Sequence, residues 1–146
     1  MTKPDLVIAG VWRSLKQGGR FVGEFGGYGN VAKITAALSA VLAKYGIDPK
    51  TIDPWYFPTV EDYRSRLEAK GFRVDRIALI PRPTPLPTDI RGWLLTFANP
   101  FASKIANTER NSFLDEVVSL LKPDLCDSDD RWFVDYVRLR FAAIKL

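Results

Sequence analysis

The sequence predicts an α/β fold, and three observations carry that expectation. Stretches with apolar residues at three- and four-residue spacing alternate with short apolar runs of strand type. Glycines and prolines stand at the ends of most of these stretches. Only three strand-like runs are visible, fewer than a covered sheet usually holds, so part of the sheet is expected to be missing.

The first helix is expected over Pro4 to Lys16, capped by Thr2, with Pro4 in the first turn. Val7, Ile8, Val11, Trp12 and Leu15 form its buried stripe, and Gly18-Gly19 ends it. Arg20 to Phe25 reads as a strand. Its residues Phe21, Val22 and Phe25 are apolar on both faces, as expected where helices cover both sides of a sheet. Gly26 to Asn30 is a glycine-rich turn, and Val31 to Tyr45 a helix closed by Gly46. Ile47 to Pro58 carries three prolines without periodicity and reads as a loop. Thr59 with Asp62 opens a helix that ends at Gly71. Phe72 to Ile80 is a strand that Pro81, Pro83, Pro85 and Pro87 are expected to stop. Asp89 to Ala98 is a helix broken by Asn99-Pro100, with a short helical turn after it. Thr108 to Leu121 is a helix capped by Thr108 and expected to stop at Pro123. Leu125 to Asp130 is a polar turn, and Trp132 to Ile144 a long terminal strand.

Composition narrows the chemistry. The 146 residues are 47% apolar and 26% charged, enough for one domain with a core. There is no histidine and one cysteine, Cys126. That removes most metal sites, the Ser-His-Asp arrangement and the Cys-His pair. Proton transfer near neutral pH falls to a carboxylate, tyrosine, lysine or substrate. A lone cysteine without a partner makes a reducing, cytoplasmic setting the default. No apolar run is long enough to span a bilayer, and the N-terminus has no signal-peptide pattern. The net charge of +4 is spread out: Arg64, Arg66, Arg138 and Arg140 are interleaved with Glu61, Asp62, Glu68 and Asp135. A nucleic-acid footprint should cluster on one face, so none is expected.

The run Val11-Trp12-Arg13-Ser14-Leu15-Lys16-Gln17-Gly18-Gly19-Arg20-Phe21-Val22 resembles the helix, Leu-Lys-Pro-Gly-Gly turn and fifth strand of class I S-adenosylmethionine-dependent methyltransferases, with Gln17 at the usual proline. Glu24-Phe25-Gly26-Gly27-Tyr28-Gly29-Asn30 resembles the end of that strand in the trans-aconitate methyltransferase-like branch. Pro54-Trp55-Tyr56-Phe57-Pro58, then Gly71-Phe72-Arg73-Val74, looks like the approach to the sixth strand. Pro83-Thr84-Pro85-Leu86 and Trp93-Leu94 resemble the helical cap. Asp135-Tyr136-Val137-Arg138-Leu139-Arg140-Phe141 looks like the seventh strand.

The resemblance implies that residues 1–146 are a partial methyltransferase domain: the C-terminal part of a Rossmann-like sheet, three strands with the last antiparallel, plus the cap. The acidic-Gly-x-Gly-x-Gly turn and the ribose carboxylate of such enzymes are absent. The cofactor, S-adenosylmethionine, is therefore implied by resemblance only, with no tight binding expected of this chain alone. The implied function is the acceptor side of a small-molecule methyltransferase. The alternative is a non-catalytic module or split-gene product that pairs with another chain. A homo-oligomer or a complementary N-terminal half is the implied partner, besides a small-molecule methyl acceptor.

No catalytic residue stands out. In open α/β sheets ligands bind outside the carboxyl ends of the strands, which puts Glu24 and Tyr28 beside a cleft. For Glu24 the alternative is a capping or turn-stabilising role. The glycines of residues 26–30 do not fit a phosphate-binding spacing. Trp55, Tyr56 and Phe57 cannot all face one core, so at least one is expected at a pocket or contact. The alternative is a loop pinned to the core. Trp93 completes the candidate substrate-binding set, with helix core as its alternative. Cys126 lies beside Asp127, Asp129 and Asp130, a poor setting for a nucleophile.

Overall fold

The structure, a computed structural model, describes residues 2–52 and 54–146. Met1 and Asp53, the latter within the expected 47–58 loop, lie outside the described residues. The helices are α1 (Pro4–Ser14), α2 (Ala32–Lys44), α3 (Val60–Lys70), α4 (Ile90–Phe97), α5 (Asn99–Ala102) and α6 (Arg110–Leu125). The strands are β1 (Arg20–Gly26), β2 (Phe72–Pro85) and β3 (Phe133–Lys145). A 3-10 turn, Pro49–Thr51, breaks the loop before α3. The chain divides into two compact units.

The first unit holds residues 2–30, 55–82 and 136–146. The sheet order is β1-β3-β2, with β3 central and antiparallel to β1. In register, Phe25 opposes Leu139 and Glu24 opposes Arg140. Alternation then sends Phe21, Phe25, Leu139, Phe141 and Ala143 to one face. There they pack with Ile8, Val11, Trp12 and Leu15 of the α1 segment and with Tyr63 and Leu67 of α3. Phe141 is the hub of this core. Its ring meets Phe21 edge-on at 4.8 Å and Tyr63 at 5.1 Å. Gly23 sits on the same face because any Cβ there would come within 2.7 Å of the Phe141 ring.

Helix ends follow local chemistry. Pro4 starts α1 as expected, but Lys3 occupies the cap position without a side-chain bond, so Thr2 makes no cap. At the other end Lys145 donates from Nζ to the carbonyls of Trp12 and Leu15, at 2.6 and 2.8 Å. That satisfies orphan carbonyls with a cation where the helix dipole is negative. Its ammonium also lies 3.8 Å from the centroid of the Trp12 ring. Thr59 caps α3 by accepting from the amide of Asp62, and Gly71 ends it at φ 105°, in the left-handed region that glycine tolerates.

Three expectations need correction here. Val7 is 44% exposed and lies outside the buried stripe. The other sheet face, with Arg20, Val22 and Glu24, carries no helix of this unit, and Val22 is 57% exposed. The prolines do not stop β2 at Ile80. Pro81, Pro83 and Pro85 lie inside it, because β2 is an edge strand. Residues two apart point their backbone nitrogens to one side, so all three prolines can face away from β3 and forfeit no ladder bond. Within β2, exposed Asp75 and Arg76 stand together between half-buried Val74 and Ile77, a one-residue shift of the alternation as in a bulge.

The second unit holds residues 31–52, 54 and 83–135 and is mainly helical. Helices α2 and α6 pack through Ile34, Leu38, Val41 and Leu42 on one side and Phe113, Leu114, Val117 and Leu121 on the other. Helices α4 and α5 pack against α6 and each other. Asp89 caps α4 by accepting from the amides of Arg91 and Gly92. Helix α6 starts at Arg110 without the expected Thr108 cap and continues through Pro123. The proline falls in its last turn, where buried Leu125 still anchors the end. No helix among the described residues is long and apolar enough to cross a membrane.

Candidate functional site

The carboxyl end of β1 gathers most of the expected site residues. After Gly26 the chain turns on a set of backbone bonds. Gly27 donates to the carbonyl of Val137, Tyr28 to that of Pro58, and Asn30 to that of Gly27. Asn30 is the buried polar residue of this turn, only 7% exposed. Its Oδ1 accepts from the amide of Val137 at 2.8 Å, which ties the turn to β3. Gly26 lets the Phe57 ring approach, since a Cβ would lie 2.7 Å from it. Phe57 in turn stacks on Trp55, centroids 5.8 Å apart. Tyr28, 64% exposed, stands on the same turn, its amide bonded to the carbonyl of Pro58 next to Phe57. Thus Tyr28, Trp55 and Phe57 are brought together around one turn.

Tyr56 points elsewhere. Its hydroxyl donates to Asp62 at 2.8 Å, and Arg66 clamps Asp62 and Asp5. Burial, then the Asp62 carboxylate, pushes the Tyr56 hydroxyl well above the usual tyrosine range. It therefore stays protonated and serves as a donor inside the unit. Trp93 is a residue of the second unit, 8% exposed and packed on Phe97 with centroids 5.1 Å apart.

Glu24 lies on the uncovered sheet face within an arginine cluster. Arg140 binds its carboxylate at 2.7 Å, and Arg138 and Arg82 each approach to 3.4 Å. The hydrogen bond from Arg140 outweighs the burial and holds the Glu24 carboxyl below the usual range. An ionised carboxylate already shared by three guanidiniums is an organiser of charge and a weak base. Sequence reading passed over these arginines as scattered charge. The signal was present: Arg138 and Arg140 are two apart in a strand and so share a face.

Asp135 was also passed over. In the second unit its carboxylate accepts from the amide of Lys33 at 2.9 Å. Helix α2 has Val31 at its cap position, in the left-handed region at φ 49° and without a side-chain acceptor. Asp135 supplies the missing cap from a distant point in the sequence. Burial raises its carboxyl above the usual range despite that bond.

Three amides of the glycine turn are engaged within the fold. The amides of Gly27, Tyr28 and Asn30 are spent on Val137, Pro58 and Gly27, which leaves none of the three for an anion. Burial and nearby Asp130 raise the Cys126 thiol above its ordinary range, as expected of an unreactive cysteine. Among the described residues, no group of three or more acidic, cysteine or histidine side chains is placed to hold a metal ion.

No protein-family model matches the chain. In an alignment of 145 positions that covers 96% of its length, it is 41% identical to the uncharacterized methyltransferase C70.08c of Schizosaccharomyces pombe. The chain is similar to part of a methyltransferase. It spans about half of that relative, 55% of its length. The fold of this methyltransferase-like chain also matches a crystal structure of a candidate methyltransferase from Bacillus halodurans C-125. That match has a TM-score of 0.52 and 12% identity and covers 99% of this chain and 59% of that one. A Haemonchus contortus phospholethanolamine N-methyltransferase 2 matches 97% of the chain and 29% of its own, at 18% identity and a TM-score of 0.36, too loose to add to the fold.

Proposed function

We propose that this methyltransferase-like chain forms the C-terminal, acceptor-side portion of an S-adenosylmethionine-dependent small-molecule methyltransferase of the trans-aconitate methyltransferase-like branch, and is inactive alone. The observation that carries the reading is the 41% identity over nearly the whole chain to about half of a protein named as a methyltransferase. The site supports it. Tyr28, Trp55 and Phe57 present aromatic surface at the carboxyl end of β1, where open α/β sheets place their ligands. Methyl transfer depends mainly on holding donor and acceptor in line, so a site with no strong base suits it. Glu24 and Trp93 keep their place as candidate acceptor contacts, the first through the arginines it orders.

S-adenosylmethionine supplies the methyl group in such enzymes. Three amides of the glycine turn are spent on Val137, Pro58 and Gly27, which supports placing its anchor in the other portion of the fold. Calorimetric titration of the chain with S-adenosylmethionine is expected to give no binding in the micromolar range. Micromolar affinity would overturn the reading. Co-expression with the part of the fission-yeast relative that the match leaves uncovered is expected to restore cofactor binding.

The reading of the chain as a non-catalytic module has one observation in its favour, the uncovered sheet face. Restoration of binding but not of turnover would favour that module.

A further inference from the structure

Helices α4, α5 and α6 of the second unit frame a hollow of about 400 Å³. Small-ligand pockets typically measure about 300–1,000 Å³. Leu94 and Leu95 of α4, Ala102 of α5 and Leu114 of α6 form its apolar side. Asn99, Asn107, Arg110 and Asn111 form its polar side, and among the described residues no carboxylate lines it. The polar side is set to donate. Arg110 is half-buried, and its Nε donates to the carbonyls of Ala102 and Ile105 at 3.2 and 3.1 Å. Those bonds fix the guanidinium plane. Its two terminal nitrogens have no hydrogen-bond or ion-pair partner among the described residues. Asn111 accepts from Arg91 through Oδ1 at 3.1 Å, which leaves its amide nitrogen as the group to meet a ligand. Asp115, one turn further along α6, is paired with Arg91.

We propose that this hollow binds a small monocarboxylate with an apolar body. Three features select that class. The two terminal nitrogens of Arg110 form a fork that a carboxylate fills with two parallel bonds, whereas a neutral or cationic head gains no such pair. A guanidinium partly withdrawn from water without a counter-charge is unfavourable, and a ligand carboxylate offsets that cost. The leucines and Ala102 take the apolar body beside the charged head, with the Asn111 amide as a further donor to it. The site lies wholly in the second unit, so it stands apart from the aromatic corner at β1 and does not rest on the methyltransferase reading.

The test titrates octanoate into the full chain by calorimetry, with octanol and octylammonium as its neutral and cationic counterparts. One equivalent of octanoate is expected to bind, roughly tenfold or more tighter than either counterpart. Leu95 is 62% exposed, so Leu95→Asp sets a carboxylate on the wall of the hollow without disturbing the core. It should weaken octanoate by roughly tenfold or more. Arg110→Gln should erase the preference for the acid over the alcohol, a change that a merely structural arginine would not produce. Circular dichroism reports whether α6 survives the loss of the bonds to Ala102 and Ile105, and Leu95→Asp decides the matter if it does not. The open sheet face of the first unit, with Val22 between arginines, offers octanoate another place. Val22→Asp is therefore the control and should leave binding unchanged. Absence of octanoate binding overturns the proposal, as does equal affinity for octanol. Binding that Val22→Asp abolishes and Leu95→Asp spares also overturns it.

Discussion

Glu24 and Arg140 face each other across the β1–β3 ladder, with the carboxylate 2.7 Å from the guanidinium. The pair is extended by Arg138 and Arg82 into one positive group around one negative charge. Removing that charge leaves three like charges close together. Glu24→Gln should therefore keep the secondary structure, lower the thermal midpoint, and show a midpoint that rises more steeply with salt than the parent's. In the co-expressed complex it should raise KM for the acceptor. Unchanged melting at low salt would show that the arginines do not depend on Glu24. Unchanged kinetics would leave Glu24 a purely structural role.

Asn30 is the second testable joint. Its side-chain oxygen is the recorded acceptor for the Val137 amide, and the residue is buried. Asn30→Ala leaves that amide without its partner. The expected cost is about 1–3 kcal/mol, read as a lower urea midpoint with an unchanged slope. Asn30→Asp keeps the acceptor and should recover part of the loss. A midpoint within error of the parent would mean that water or a shifted turn replaces the bond.

Much of the fold was legible because period and punctuation are local. The apolar spacing of α3, its Thr59 cap and its Gly71 end were all readable from adjacent residues. What failed was whatever depended on distant neighbours. Pro81, Pro83 and Pro85 read as a stop, yet their strand continues because it lies at a sheet edge, a fact of topology. Helix α2 lacks a local cap because Asp135, about a hundred residues on, provides it. The site divides the same way. Tyr28 and the 55–57 aromatics were visible as residue types. Sequence alone did not show that Tyr56 turns inward to Asp62 while Phe57 reaches Gly26.

The Tyr56–Asp62–Arg66 network predicts an acid limit to stability. Arg66, hydrogen-bonded at 3.0 Å, holds the Asp62 carboxyl below its usual range, opposed by partial burial and aided by Tyr56. The folded state thus binds a proton less readily than the unfolded chain. The stabilisation is complete above the ordinary aspartate pKa of about 4 and is lost as pH falls through the depressed value. Denaturant unfolding at neutral pH and in the acid range should show a smaller difference for Asp62→Asn than for the parent. Equal pH dependence in both would remove Asp62 from the account.

Gly27 separates steric need from conformational need. A Cβ there would run into the Leu79 side chain and come within 2.8 Å of the Leu139 Cβ and 3.1 Å of the Leu139 nitrogen. Leu79 can rotate aside. Leu139 cannot, because it sits in the central strand opposite Phe25 and is fully buried. Gly27→Ala should therefore cost about 1–3 kcal/mol through overpacking. Because Gly27 precedes Tyr28, the same displacement should perturb the aromatic corner. Gly18→Ala is the matching control. Nothing lies within 4 Å of a Cβ at Gly18, but its φ of 77° is left-handed, so the cost there is conformational, about 1–2 kcal/mol. Urea unfolding gives both costs, and near-ultraviolet circular dichroism reports the aromatics. The expected pattern is a stability loss in both variants and a spectral change in Gly27→Ala alone. A spectral change of equal size in Gly18→Ala, or none in Gly27→Ala, would mean that the β1 turn does not set the packing of Trp55 and Phe57.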